Sequence, residues 1–101
     1  MLESQFQSKL IKELKDIFPG CIILKNDPEY IQGFPDLTIL YCSPDGQPRW
    51  ALLECKRSEN ESHRPNQDFY IAKGDEMAFG RFVYPENKEE VLYDIQQAFQ
   101  S

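Results

Sequence analysis

The chain has 101 residues, a formal net charge of −6 at pH 7, and a composition 41% hydrophobic and 13% aromatic. That length suits a single domain spanning residues 1–101, the apolar content excludes a disordered chain, and the acidic balance weighs against indiscriminate binding of nucleic acid. No apolar run reaches membrane-spanning length. The opening MLESQFQSKL carries acid and amide where a signal peptide needs a basic start and an apolar block, so a soluble, cytoplasmic protein with no membrane partner is expected.

From the amino terminus, Phe6, Leu10, Ile11, Leu14, Ile17 and Phe18 recur at helical spacing over residues 3–18, with Lys9, Lys12, Lys15 and Asp16 outside the stripe. Pro19-Gly20 stops that helix. Cys21 to Lys25 reads as a short strand, Asn26 to Phe34 as a loop, Pro35 to Cys42 as a second strand and Pro48 to Arg57 as a third. Between the last two, Ser43-Pro44-Asp45-Gly46-Gln47 carries turn chemistry. Ser58 to Ser62 is polar and loop-like. Arg64 to about Lys73 is predicted helical, with Pro65 tolerated in the first turn and Gly74 ending it. Ala78 to Tyr84 is the fourth predicted strand, closed by Pro85. Glu86 to Gln100 is a last amphipathic helix with Val91, Leu92, Ile95 and Phe99 inward, and Glu86, Glu89 and Glu90 suiting the dipole of its first turn. The predicted order is αβββαβα, without repeats.

Charge is uneven along this order. Residues 1–46 hold four Lys/Arg against seven Asp/Glu (−3), residues 47–73 five against four (+1), and residues 74–101 two against six (−4). The middle is therefore mildly basic, which softens the objection to a nucleic-acid substrate. Cys21, Cys42 and Cys55 have no CxxC spacing and each lies in an apolar stretch, so they read as small buried thiols. His63 is the only histidine, which disfavours His-rich metal sites and Ser-His-Asp triads.

Two stretches carry chemistry. In Trp50-Ala51-Leu52-Leu53-Glu54-Cys55-Lys56, strand alternation puts Glu54 and Lys56 on one face and Leu53 and Cys55 on the other. Alone, such a pair is equally a solvated face of an edge strand. In Gly33-Phe34-Pro35-Asp36, an aspartate stands at the mouth of a strand, as a turn residue or a ligand. Register decides what Asp36 faces. If Pro44 and Asp45 form a type I turn and Gly46 a left-handed bulge, paired positions sum to 90 and Asp36 lies opposite Glu54. A two-residue Asp45-Gly46 turn gives 91 and sets Asp36 opposite Cys55, on the wrong face. The first is favoured because Pro44 and Gly46 each have a job in it.

Facing carboxylates are costly without a cation, and hard oxygen donors suit Mg²⁺. On the first helix, Glu3 lies in the direction of the apolar stripe and Glu13 at its edge, with Gln7 also inward. Glu3 is either a third acid for this cluster or a dipole-favoured first-turn residue. Phe69 and Tyr70 read as core rather than as base-stacking platforms.

Gly33-Phe34-Pro35-Asp36, Glu54-Cys55-Lys56 and then Gln67 on a following helix resemble the PD-(D/E)XK nuclease superfamily, most of all its small VRR-NUC and Holliday-junction-resolvase-like members, many encoded by phages. The likeness spans roughly residues 3–84. It implies an α/β (α+β) fold with a restriction-endonuclease-like αβββαβ core: a mixed four-stranded sheet flanked by helices, plus the carboxy-terminal helix. It implies a divalent-metal-dependent endonuclease acting on DNA, structure-selective for junction, flap or nick, in the host cytoplasm if phage-encoded, with no organic cofactor. Asp36 and Glu54, with the Cys55 carbonyl and Glu3, would bind Mg²⁺, or Mn²⁺ in its place. Lys56 would orient or activate water, Gln67 would stand near the site, and Arg57, His63, Arg64 and Lys73 would contact the DNA backbone. A homodimer is expected, as in resolvase-like relatives. The alternatives are a catalytically silent binding or assembly module and an RNA-cleaving nuclease.

Overall fold

The computed structural model describes residues 2–100. Its elements are α1 (Glu3–Ile17), β1 (Ile22–Lys25), β2 (Leu37–Cys42), β3 (Pro48–Cys55), α2 (Pro65–Met77), β4 (Gly80–Val83) and α3 (Lys88–Gln100). The order matches the expected one. The four strands form one mixed sheet in the order β1-β2-β3-β4, antiparallel except for the parallel β3–β4 pair. That parallel step needs a long crossover, which α2 supplies.

The β2–β3 hairpin has the register that the three-residue turn dictates, with Leu37 opposite Leu53 and Cys42 opposite Pro48. Gly46 adopts φ +83°, the left-handed conformation that glycine reaches without a Cβ penalty. Its N–H donates to the Ser43 carbonyl at 2.8 Å, and the Ser43 N–H donates to Gln47 at 2.9 Å. The Ser43 hydroxyl also bonds the Asp45 carboxylate.

Alternation then sorts the sheet into two faces. Leu37, Ile39, Ala51, Leu53, Cys55 and Val83 join Phe6, Leu10, Leu14 and Phe18 of the α1 segment and Val91, Leu92, Ile95 and Phe99 of α3 in one buried core. Phe18 closes it by packing on both Tyr41 and Phe99, with ring centroids 5.0 Å away in each case. The opposite face carries Leu52 and Glu54 under α2. That helix covers only the β3–β4 half, so Ile22 (57%) and Leu24 (46%) of the β1 edge stay exposed beside Leu40.

Several boundaries differ from the sequence reading. Helix α2 runs through Gly74 to Met77, because Gly74 is buried against the sheet: an added Cβ would stand 2.8 Å from Leu52 Cδ1. The glycine permits close helix–sheet approach and does not end the helix. Glu86 lies outside α3, whose first turn carries Glu89 and Glu90 only. Strand β4 begins at Gly80, where a Cβ would overlap the α2 backbone at Ile71. Of the three cysteines only Cys55 is buried; Cys42 is exposed at the hairpin end and Cys21 is half-buried. All three are free thiols.

Candidate active site

At the end of the sheet where β3 runs out, an open cleft of about 440 Å³ is walled by Glu3, Asp36, Glu54, Lys56, Arg57, Glu61, Ser62, Arg64 and Gln67. The first turns of α1 and α2 both border it, which directs two positive helix ends at whatever binds there.

The sheet register carries Asp36 to Glu54. The Asp36 N–H donates to Glu54 Oε1 at 3.2 Å, and Asp36 Oδ2 accepts from the Cys55 N–H at 2.9 Å. Glu54 is thus tied to the backbone of Asp36, and Asp36 to the backbone of Cys55, across the hairpin. Cys55 reaches this pair through its backbone alone, since its side chain is fully buried in the α1/α3 core. Burial there, reinforced by the neighbouring carboxylates, pushes the thiol up and leaves it inert.

Lys56 is 3% exposed, an unusual place for an ammonium. Its Nζ donates to Gln67 Oε1 at 2.9 Å and to the Ser62 carbonyl at 3.3 Å, and it stands 3.9 Å from Glu54 and 3.7 Å from Glu61. Gln67 organises both partners. Its Oε1 accepts from Lys56 and from the Arg64 N–H at the start of α2, while its Nε2 donates to Glu54 Oε2 at 3.1 Å. One amide therefore caps the helix and sets the spacing between carboxylate and ammonium.

The electrostatics of the acid pair are unbalanced. Burial, then the charge of Asp36, pushes Glu54 up to about 8, against the opposing pull of Lys56 and the Asp36 N–H. Asp36 is also raised by burial, less the help of the Cys55 N–H. Glu3 is raised by burial and by Asp36. Lys56, 3.9 Å away, pulls Glu54 down, but burial and the Asp36 charge outweigh it.

Among the described residues, no three His, Cys, Asp or Glu side chains stand together as a metal-holding group. Glu3 therefore lines the cleft without completing a three-acid shell with Asp36 and Glu54. Glu13 is elsewhere, paired with Lys88 of α3 at 3.0 Å. The remaining donor set, the two carboxylates of Asp36 and Glu54, fits Mg²⁺, which keeps several waters and takes one or two protein carboxylates plus substrate phosphate. Burial and the facing Asp36 charge are what raise Glu54, and a cation held between the two acids would oppose both.

Among solved structures, a VRR_NUC domain superposes on this chain with a TM-score of 0.68, covering 90% of this chain and 94% of that one at 20% sequence identity. The fold is that of a VRR_NUC domain. No protein-family model matches the sequence, and no curated protein matches it.

Within this VRR_NUC fold the other candidate residues divide. Arg57 and Arg64 line the cleft. His63 does not: its ring stacks on Phe82 with centroids 3.8 Å apart, and Nδ1 lies 3.1 Å from Asp68. Lys73 faces a different, apolar cleft and stands 3.8 Å from Glu76. That second cleft is lined by Phe34, Trp50, Leu52, Tyr70 and Met77 among others, and Phe69 on its rim is 54% exposed. Phe69 is thus not core, because the half-sheet it would pack on is left uncovered. Glu61 and Ser62 are the cleft residues that sequence reasoning missed, Ser62 accepting from Lys56 through its carbonyl and Glu61 pairing with the same ammonium through its carboxylate. Glu61 Oε1 accepts from the Arg57 N–H at 2.8 Å and from Nε at 3.2 Å, bonds that hold its carboxyl below the usual range. Its spacing of four from Arg57 was the available signal, but in a polar loop that spacing carries no periodicity to read.

Proposed function

We propose that this chain is a divalent-metal-dependent endonuclease that hydrolyses DNA phosphodiester bonds, with a preference for structured substrates such as junctions, flaps or nicks in phage-type DNA processing. The observation that carries the reading is the gathering of Asp36, Glu54, Lys56 and Gln67 in one cleft, with two carboxylates facing one another beside a buried ammonium.

Asp36 and Glu54, with the Cys55 carbonyl, would hold Mg²⁺ or Mn²⁺. When bound, such a cation neutralises charge gathering on the scissile phosphate and makes a water easier to deprotonate. The protein supplies the rest. Lys56, fixed by Gln67 and Ser62, presents a preorganised positive charge to the phosphate oxygens and the attacking water. Gln67 keeps that ammonium at a set distance from Glu54. Arg64 at the cleft wall, and Arg57 once drawn from Glu61, are placed to hold flanking phosphates without reading bases. The test is a cleavage panel of plasmid, linear duplex, single strand, flap, four-way junction and structured RNA. Mg²⁺-dependent cutting of DNA is expected, absent in EDTA and in Glu54→Ala. Cutting of RNA alone would transfer the reading to a ribonuclease, and no cutting of any substrate would favour a silent assembly module.

The second element of the proposal is a homodimer. The uncovered half-sheet, with Ile22, Leu24 and Leu40 flanked by Phe69 and Met77, forms an exposed apolar surface of the kind that marks an interface. Sizing at micromolar concentration should give about 24 kDa, twice the 11.9 kDa of the chain. A 12 kDa species alone would remove this element.

A further inference from the structure

Asp36 precedes the first residue of β2, one step beyond the Lys25–Leu37 pair that ends the β1–β2 ladder. Pro35 before it has no N–H to donate, and Gly33 at φ +83° turns the chain sharply just ahead. What holds the segment is Asn26, half-buried in the loop after β1. Its backbone N–H donates to the Asp36 carbonyl at 2.8 Å. Its side-chain Nδ2 donates both to the Pro35 carbonyl and to Thr38 Oγ1, each at 2.9 Å. One residue thus grips the chain before, at and after Asp36. Both N–H groups of its amide are used, so the orientation of the amide is determined.

We propose that Asn26 is a positioning residue for the acid pair: it fixes the backbone of Asp36 so that Oδ2 meets the Cys55 N–H and the other oxygen is left for a divalent cation. The inference rests on the metal-dependent reading above and names a residue that lies outside the cleft wall. It acts through Asp36 and touches neither substrate nor ion. Supporting hydrogen bonds of this kind change ligand affinity about 10–100-fold when removed.

The experiment measures Mn²⁺ binding by titration calorimetry on wild type, Asn26→Ala and Thr38→Val, together with thermal melts in EDTA and steady-state cleavage. Wild type is expected to bind Mn²⁺. Asn26→Ala should weaken binding about 10–100-fold and lower kcat at saturating metal with KM for DNA little changed. Thr38→Val, which deletes one partner of the amide and keeps a β-branched strand residue, should weaken binding by a smaller factor. Wild-type protein that binds no Mn²⁺ overturns the metal-dependent reading itself. Wild type that binds, with Asn26→Ala folded and within twofold of it, overturns the positioning role alone. If Asn26→Ala does not fold, Thr38→Val decides: affinity equal to wild type overturns the role, and a loss supports it.

Discussion

Asp36→Asn is expected to stop cleavage and, in EDTA at alkaline pH, to raise thermal stability. Asparagine keeps an oxygen to accept from the Cys55 N–H, which Asp36 Oδ2 now does at 2.9 Å, so the local fold persists. What disappears is one of two facing negative charges. Glu54 is pushed from its ordinary range to about 8, with Asp36 the second cause after burial. Between the unfolded value near 4.5 and about 8 the folded protein therefore holds more protons than the unfolded chain, so stability falls as pH rises through that window and is lowest above it. Removing the Asp36 charge relieves part of this cost, about 1 kcal/mol for a like-charged cross-strand pair, or about 4–8 °C in Tm for a domain of this size. The gain should appear in melts at pH 9 in EDTA and shrink toward pH 5, where Glu54 of the native chain is already protonated and no longer repels Asp36. Cleavage should fall about 10²–10³-fold or more, as for loss of one preorganised group stabilising the transition state. A variant that lost stability at pH 9 along with activity would show that the carboxylate pair is structural.

The second large effect is expected at Lys56→Met. Methionine preserves most of the buried stem and removes the ammonium that Gln67 Oε1 and the Ser62 carbonyl now accept from. Glu54 and Glu61 then lose the cation 3.9 and 3.7 Å away. Breaking one side of a buried pair costs about 3–5 kcal/mol when the remaining charge cannot escape. Here Glu54 can take up a proton, so the loss should be severe at pH 9 and much milder at pH 5. Single-turnover cleavage at saturating metal should drop about 10²–10³-fold. Retention of the wild-type rate would exclude Lys56 from the chemistry.

These expectations draw on features that were unevenly readable in the amino-acid order. The hairpin was legible because Pro44, Asp45 and Gly46 restrict backbone angles locally, and strand alternation then carried that information to Asp36 and Glu54. The α1 stripe was legible for the same reason: periodicity is a local property. The extent of α2 was not, since Gly74 has the chemistry of a helix end and is instead demanded by Leu52 from another element. Phe69 and Cys42 misled because apolar character reports a preference for burial, whereas exposure depends on which half of the sheet a helix happens to cover. Glu61, Ser62 and Asn26 act through loop geometry, which leaves no periodic trace. Gln67 was found as a likeness to a nuclease superfamily, but its double duty as helix cap and spacer between Lys56 and Glu54 depends on how α2 is seated on β3.

The three-residue turn has a consequence for how this protein can change. Asp45 lies nine positions from both Asp36 and Glu54, about 30 Å of extended chain. Surface tips usually absorb gained or lost residues at little cost. At this one, a single codon added or deleted would rotate one acid to the far side of the ribbon while leaving the codons for both acids intact. The remote tip is therefore part of what assembles the acid pair, and its length, more than its composition, is what an engineer or a lineage must leave alone.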